Sequence, residues 1–285
     1  MQVLPPNVWI PALALIACSG RAQESPSVVA KTPSAPPATV AEFDHQHTAW
    51  TQILRAHVTD DTFDYAALKK NTSQLKAYLR ELRAVTPEKL KGWTKEQRFA
   101  FWINVYNAHT INKVVDNYPL DSIKDLSTGL FGVNSVFDKE FIEMTPHHPD
   151  GKDDELSLND IEHGILRAKF KDARVHAAIN CASFSCPPLR NEAFVADRLD
   201  KQLDEQMRAF VVDTKRNRFD RQENRLYLSE IFDWFKDDFE RDAGTVKEFV
   251  ARFAPEKDRE LIRGAKVKHI DYDWDLNDVP KKGRG

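Results

Sequence analysis

The spacing of apolar and polar positions predicts a mainly helical chain from residue 42 onward. Amphipathic patterns predict helices at residues 44–58, 68–85, 158–168, 196–212, 246–253 and 256–263. The strongest signals belong to another helix, which starts with a capping box of Thr94 and Gln97 and continues to Asn117, before Pro119. Because residues 99–108 are apolar on nearly every face, we expect this helix to be buried.

Extended segments are predicted between these helices. The apolar run 174–180 predicts a strand, residues 131–143 a hairpin, residues 147–155 a polar loop, and Asn224 the turn of a second hairpin. The end of the chain, residues 267–274, is also expected to be extended. Since helices dominate and no regular strand–helix–strand order occurs, the predicted class is α+β: a mainly helical single domain at residues 42–280 with a small antiparallel sheet.

The first residues have the pattern of an export signal. An apolar stretch from Val8 to Ala17 runs into Cys18 and is too short for a membrane-spanning helix, which needs about 20 residues. Leu15–Cys18 resembles the bacterial lipobox, in which the cysteine is lipidated, and Ser19 resembles an outer-membrane address. We therefore expect a signal peptide at residues 1–18, a lipid anchor at Cys18, and a location in the cell envelope on the periplasmic face of the outer membrane.

Two features leave this prediction open. No Lys or Arg precedes the apolar stretch, and ordinary signal cleavage after Ala22 is the alternative.

Residues 19–41 are rich in Pro, Ser and Ala and predict a disordered tether between the anchor and the folded domain.

Charge and cysteine content narrow the classes of function. The formal net charge is −3 with both signs scattered, so no basic surface indicates nucleic-acid binding. The chain has three cysteines, and lipidation of Cys18 would leave only Cys181 and Cys186. Two thiols cannot form the framework of a disulfide-rich protein. No cofactor motif is present, and we expect none.

The segment 176–189 concentrates the groups that carry chemistry. It places His176, Asn180, Cys181, Ser185 and Cys186 around the end of the predicted strand. Three interpretations remain open at this point. The thiol of Cys181 is a nucleophile activated by an imidazole, the two thiols bind Zn²⁺ with two imidazoles, or the thiols form a disulfide or simply pack.

Further candidates lie outside this segment. His163, on the helix that precedes it, is the freer imidazole partner for Cys181, and Glu162 beside it could line the same cleft. Asp273 could orient an imidazole, as the third member of a catalytic triad does. Asn104 and Asn107 lie one turn apart in the most apolar helix, so their amides either satisfy a neighbouring loop or face a binding site.

Four segments resemble the family called domain of unknown function 547. They are FWINVYNA, LSLNDIEHGILR, HAAINCASFSCPPL and YDWDLN, at Phe101–Ala108, Leu156–Arg167, His176–Leu189 and Tyr272–Asn277. The resemblance covers about residues 43–278. It implies that plant members keep the thiol matching Cys181 and have Ser in place of Cys186. A disulfide or a two-thiol metal site would then not be the common purpose of the family, which favours a nucleophilic Cys181. A papain-like arrangement is the natural host by analogy.

The leading hypothesis is therefore a cell-envelope, thiol-dependent hydrolase or acyltransferase that acts on an amide or ester of unknown structure. Cys181 would attack the carbonyl, His163 would move the proton, Asn180 or nearby N–H groups would stabilise the oxyanion, and Asp273 or Glu162 would orient the imidazole. The alternative is a non-catalytic envelope protein that binds a peptide, glycan or protein partner through His176, Asn104, Asn107, Ser185 and Cys186. A zinc-dependent site is the third hypothesis.

Overall fold

Helices make up most of the part of the chain that the computed structural model describes, which is residues 42–128, 135–144 and 155–280. The described α-helices are α1 Thr48–His57, α2 Tyr65–Lys70, α3 Ser73–Arg83, α4 Pro87–Lys91, α5 Lys95–Asn117, α6 Val175–Ala178, α7 Leu199–Val212, α8 Ile231–Trp234, α9 Lys236–Ala243, α10 Val246–Phe253 and α11 Glu256–Gly264. A π-helix spans Asp160–Phe170, and 3₁₀ turns span Ile123–Leu126 and Ala196–Arg198. The predicted signal peptide and tether lie outside the described residues.

Within the described ranges the strands are short and form three small sheets. They are β1 Val58–Thr59, β2 Thr62–Phe63, β3 Ile142–Glu143, β4 Glu155–Leu156, β5 Arg218–Asp220, β6 Arg225–Ser229 and β7 Lys266–Ile270. The pairs β1–β2, β3–β4 and β5–β6 are antiparallel, and β7 joins β6 in parallel. These elements confirm the predicted mainly helical α+β class with small antiparallel sheets. The described residues from Glu42 onward belong to one compact unit.

Helix α5 follows its sequence signals closely. Thr94 Oγ1 accepts the N–H of Gln97 at 3.1 Å, and Gln97 Oε1 accepts the N–H of Thr94 at 2.9 Å, which completes the predicted capping box. All residues from Phe99 to Ile111 are buried. The helix lies in the larger of two hydrophobic clusters, beside α2, α3 and the π-helix. Its expected burial is confirmed.

The predicted strand at residues 174–180 is wrong. Val175–Ala178 form α6, and only Ile179, with ψ 142°, turns to extended backbone. The reason is that α6 lies between the two hydrophobic clusters, with Ala178 packed in the first and Ala177 in the second. A segment that is buried on all sides has no polar alternation to distinguish strand from helix.

Two further predictions are corrected. Residues 131–143 do not close on themselves as a hairpin in the part that is described, because β3 pairs instead with Glu155–Leu156. Residues 131–134 and most of the predicted loop at 147–155 lie outside the described residues. The helix predicted at residues 68–85 is two helices, α2 and α3, because the side chain of Asn71 accepts the N–H of Ser73 at 3.1 Å at the break.

A segment near the end of the chain, residues 271–279, crosses both the cysteine-rich turn and the β1–β2 hairpin. We call it the crossing segment. Its Asp275 carbonyl accepts the N–H of Phe184 at 2.7 Å, and its Asn277 carbonyl accepts the N–H of Phe63 at 2.8 Å. The Oδ1 atom of Asn277 accepts the hydroxyl of Tyr65 at 2.7 Å. The crossing segment therefore joins distant parts of the first cluster at the position of the candidate site.

No helix in the described ranges is both long enough and apolar enough to cross a membrane.

Candidate functional site

Cys181 and Cys186 face each other across the turn that follows α6, and both are free thiols. The half-buried Sγ of Cys181 lies 3.0 Å from Ser183 Oγ and 3.2 Å from Tyr272 Oη. The two hydroxyls are themselves hydrogen-bonded at 2.9 Å. The buried Sγ of Cys186 accepts the N–H of Cys181 at 3.0 Å. One thiol is thus surrounded by hydroxyl groups and faces outward, while the other supports the turn.

These contacts separate the acidities of the two thiols. Burial acts to raise the pKa of Cys181, but hydrogen bonds from Cys186, Ser183 and Tyr272 outweigh it and lower the pKa overall. Burial and the neighbouring Cys181 raise the pKa of Cys186 well above its usual value. Burial and the same neighbour also raise the pKa of Tyr272, which therefore stays protonated. The thiolate is favoured at Cys181 and disfavoured at Cys186.

The backbone of the turn is strained and held by amide side chains. Ala182 has φ 62°, a left-handed conformation that costs a non-glycine residue about 1–2 kcal/mol. Asn180 Oδ1 accepts the N–H of Ala182 at 2.8 Å, and Asn180 Nδ2 donates to Pro187 O at 2.8 Å. Because both ends of its amide serve the turn, the side chain of Asn180 does not supply the predicted oxyanion donor in this geometry.

The two predicted binding asparagines of α5 also act on backbone. Asn107 Nδ2 donates to Ala178 O at 2.9 Å, and its Oδ1 accepts the N–H of Asn180 at 2.8 Å. Asn104 makes the same two-bond contact with the backbone of Phe194, at 2.8 and 3.1 Å. Asn107 therefore positions the start of the cysteine-rich turn from the centre of the core, and Asn104 anchors a more distant loop.

A cavity of about 160 Å³ opens onto Cys181. Its walls are mostly aromatic and apolar, and its polar groups include two histidines, a glutamate and both thiols. The lining residues are Tyr106, Phe137, Asn159, Glu162, His163, His176, Ile179, Cys181, Cys186, Ile231, Trp234, Phe235, Tyr272 and Trp274. The cavity thus unites Cys181, His163, Glu162 and His176 from the predicted site.

Glu162 is buried in one wall of the cavity, on the π-helix. Its Oε2 lies 3.4 Å from Tyr106 Oη. Burial, and next the negative charge of the Cys181 thiolate, raise the pKa of Glu162 to about 7. The side chain therefore exchanges a proton near neutral pH. π-Helical turns of this kind are often found at functional sites.

His176 is buried beside Glu162 and is paired with a carboxylate. Its Nε2 lies 2.8 Å from Asp238 Oδ2, and its ring stacks on Phe235 at 3.9 Å between centroids. Arg167 Nε donates to the same Asp238 oxygen at 2.5 Å. The Nδ1 of His176 has no hydrogen-bond partner among the described residues and lies 3.9 Å from Glu162 Oε1. Burial lowers the pKa of His176, so the ring is neutral and Nδ1 is an acceptor that faces the glutamate.

The predicted contact between His163 and Cys181 is not formed. His163 is on the cavity wall, but its Nδ1 lies 2.6 Å from Arg167 Nη1. Burial and this guanidinium both lower the pKa of His163. An imidazole whose Nδ1 accepts from Arg167 carries its proton on Nε2, so it can donate a hydrogen bond but cannot take a proton without breaking that contact.

Asp273 and Ser185 meet at the edge of the crossing segment. Ser185 Oγ accepts the N–H of Asp273 at 2.9 Å, and Asp273 Oδ1 accepts the N–H of Asp275 at 2.9 Å. The exposed carboxylate of Asp273 therefore closes a local turn, and no imidazole of the described ranges is bonded to it. Ser185 fixes the crossing segment to the cysteine-rich turn.

Sequence reasoning did not identify several residues of the site. Ser183 and Tyr272 touch the sulfur, while Asp238, Arg167 and Tyr106 hold the histidines and the glutamate. A signal was present for four of them: Tyr106 and Arg167 lie in the first and second family motifs, Ser183 lies inside the cysteine-rich segment, and Tyr272 begins the fourth motif. Asp238 carries no such signal because it lies 62 residues from its partner His176.

The described residues contain no group of three or more His, Cys, Asp and Glu side chains placed to hold a metal ion. The zinc hypothesis therefore has no support from the geometry of the two thiols and two imidazoles.

Comparison with known families gives a match for the central part of the chain. Residues 90–211 match the family described as "Protein of unknown function, DUF547". This match supports membership of the chain in that family, and it contains three of the four motifs that carried the resemblance. The fourth, Tyr272–Asn277, lies beyond it. No curated protein and no solved structure matches the chain.

Proposed function

We propose that the protein is a thiol-dependent hydrolase or acyltransferase that acts on an amide or ester. The observation that carries the proposal is the environment of Cys181: a half-buried thiol that opens onto a cavity, with two hydroxyl groups at 3.0 and 3.2 Å that lower its pKa. A thiolate stabilised in this way at the wall of a pocket has the character of a nucleophile.

The chemistry follows from the groups around the sulfur. The thiolate of Cys181 attacks the substrate carbonyl, the leaving amine or alcohol departs with a proton, and a thioester remains. Water or an acceptor nucleophile then cleaves the thioester and frees the thiol. The hydroxyls of Ser183 and Tyr272 are the donors nearest the sulfur, so they are the groups available to stabilise the oxyanion in place of Asn180. His163 offers a further donor through Nε2.

We place this activity in the cell envelope, on the periplasmic face of the outer membrane. The support is the sequence from Leu15 to Cys18, which resembles a lipobox, together with the Pro/Ser/Ala-rich composition of residues 19–41. Replacement Cys18→Ser is expected to abolish lipid-precursor labelling and to release the protein from the membrane fraction. Unchanged labelling would contradict the anchor.

A second function is favoured by the mouth of the cavity. Trp234, Tyr272 and Trp274 form a cluster of rings with centroids 4.6–6.0 Å apart, and Trp234 is 45% exposed. Aromatic side chains that are exposed at a pocket are frequent in binding sites. Non-catalytic binding of a peptide, glycan or protein partner is therefore the alternative, with these rings as the contact surface.

The two functions are separated by covalent chemistry at the sulfur. The full chain is treated with p-nitrophenyl acetate, and the acylated cysteine is identified by mass mapping. We expect a transient acetyl group on Cys181 that water removes, and none on Cys186. The Cys181→Ala variant should show no acetylation, while Cys186→Ala should still be acetylated at Cys181, but more slowly, because it loses one of the hydrogen bonds that lower the pKa of Cys181. Absence of acylation in the folded wild type, with ligand binding intact, would favour the binding protein.

A further inference from the structure

The thiol of Cys181 needs a group that takes its proton, and the cavity limits the choice. Tyr106, Tyr272 and Cys186 all have their pKa values raised, with burial as the largest cause, so they remain protonated donors. His163 has its Nδ1 lone pair occupied by Arg167. Of the titratable groups that line the described cavity, Glu162 and His176 are left.

The positions of Glu162 and His176 indicate which of them receives the proton and which supports it. Glu162 and Cys181 line the same cavity, and the Cys181 thiolate is, after burial, the second cause that raises the pKa of Glu162. His176 Nδ1 is buried, faces Glu162 Oε1 at 3.9 Å, and makes no hydrogen bond within the described residues. Its other nitrogen is fixed by Asp238 at 2.8 Å. A buried acceptor without a partner is costly, and a protonated Glu162 is the nearest donor that could satisfy it.

We propose that Glu162 accepts the proton of the Cys181 thiol, and that His176, oriented by Asp238, holds this proton on the carboxyl group. The inference rests on the proposed function and assigns the proton acceptor that the function requires. Glu162 is the catalytic residue of the relay, while His176 and Asp238 are positioning residues. This assignment replaces the expected role of His163 as the base.

Each proton has a place in the resulting reaction. The S–H bond of Cys181 breaks, its proton moves to Glu162, and the electron pair left on sulfur forms the bond to the carbonyl carbon. When the tetrahedral intermediate collapses, the proton of Glu162 passes to the leaving nitrogen or oxygen as its bond to carbon breaks. The thioester and an ionised Glu162 remain. The same carboxylate then takes a proton from the water whose oxygen attacks the thioester carbon, and returns it to the sulfur as the C–S bond breaks, which releases the acid and restores the thiol.

Charges on the neighbouring elements set the pH at which the relay works. Arg167 lowers the pKa of Glu162, Asp238 raises it, and the hydroxyl of Tyr106 lowers it. Burial acts to raise the pKa of Asp238, but hydrogen bonds from His176 and Arg167 outweigh it and keep that carboxylate ionised, while Arg241 Nη1 binds its other oxygen at 2.8 Å. Together with burial and Cys181, these groups place the titration of Glu162 near neutral pH.

The test is the pH profile of Cys181 alkylation by iodoacetamide in the full chain, mapped by mass between pH 5 and 9. In the wild type we expect two titration steps, because the thiol of Cys181 and the carboxyl group of Glu162 titrate as a coupled pair and the first proton lost comes from either of them. Glu162→Gln should give a single step, with alkylation at pH 6 equal to or faster than wild type, since a like charge is removed. The matched control Glu260→Gln, at an exposed carboxylate, should keep two steps.

Two further measurements complete the test. His176→Phe keeps a ring on Phe235 but removes the acceptor, so alkylation of Cys181 at pH 6.5 should slow about fivefold, which corresponds to the loss of one hydrogen bond. His57→Phe, outside the cavity, should not change it. Infrared spectra of wild type should also show a protonated carboxyl band that disappears near pH 7 and is missing in Glu162→Gln.

The outcomes separate the relay from the function. A reactive Cys181 whose profile stays unchanged in Glu162→Gln would overturn the relay alone. Slower alkylation in both Glu162→Gln and His176→Phe would also overturn it, because a purely structural role of the two residues would slow the reaction in both variants. An ordinary thiol profile in the wild type would overturn the proposed function itself.

Discussion

Replacing Tyr272 with Phe removes one hydroxyl group and leaves the aromatic ring against Trp234 and Trp274. In the wild type this hydroxyl lies 3.2 Å from Cys181 Sγ and 2.9 Å from Ser183 Oγ. A hydrogen bond to a charged group contributes about 1.5–3 kcal/mol, and one pKa unit corresponds to about 1.4 kcal/mol. Loss of the bond should therefore raise the pKa of Cys181 by about one to two units. Alkylation at pH 6 should fall at least about tenfold.

The assay is the rate of iodoacetamide alkylation at Cys181 as a function of pH, with Tyr227→Phe as the matched control. The hydroxyl of Tyr227 bonds Glu223 at 3.2 Å, away from the cavity, so its removal should leave the profile unchanged. The rates of wild type and Tyr272→Phe should converge at high pH, where both thiols are ionised. A midpoint that stays in place, in a variant with unchanged stability, would refute the argument that the hydroxyls acidify this thiol.

Three further outcomes concern stability. The pKa of Glu162 rises from 4.5 to about 7 on folding, so its burial lowers the free energy of unfolding increasingly between these pH values, with the full cost present above pH 7. The free energy of unfolding of Glu162→Gln relative to wild type, measured by urea unfolding, should therefore be about 3 kcal/mol greater at pH 8 than at pH 4. An equal difference at both pH values would contradict this. Burial lowers the pKa of His109 from 6.5 to about 3, so the stability that it contributes is present above pH 6.5 and is lost as the pH falls. As the pH falls from 7 to 4.5, the free energy of unfolding of His109→Leu should therefore decrease by about 2–3 kcal/mol less than that of wild type. An identical decrease would argue against a buried neutral ring. Because Ala182 has φ 62°, Ala182→Gly should stay within about 1 kcal/mol of wild type while Ala182→Val should lose more than about 2 kcal/mol; thermal unfolding that ranks them otherwise would show that the turn relaxes.

Local signals account for the parts of the fold that the sequence predicted well. The capping box at Thr94 and the stop before Pro119 are contained within a few residues, and α5 begins and ends where they indicate. The exchange of hydrogen bonds between Ser157 and Asp160 at the start of the π-helix is a contact of the same local kind. Burial on every side hid the helical state of residues 175–178, because periodicity is informative only where one face is polar.

The candidate site also contains parts that the sequence could predict and parts that it could not. Cys181 and Cys186 could be recognised from their segment, and so could the helix that carries Glu162. The partner of His163 is local, because Arg167 follows it by four residues on the same π-helix, whereas Asp238 reaches His176 from 62 positions away. Spacing along one element cannot reveal a pair such as His176 and Asp238, since it depends on how the two hydrophobic clusters pack.

The crossing segment makes the acidity of the Cys181 thiol depend on a contact between distant parts of the chain. Tyr272 follows Cys181 by 91 positions, and every element of the second cluster from α7 to β7 lies between them. A chain that has formed the cysteine-rich turn but has not yet docked residues 271–279 lacks one of the two hydroxyls that acidify the sulfur. Before this contact forms, the thiol of Cys181 therefore lacks one of the hydrogen bonds that lower its pKa in the folded chain.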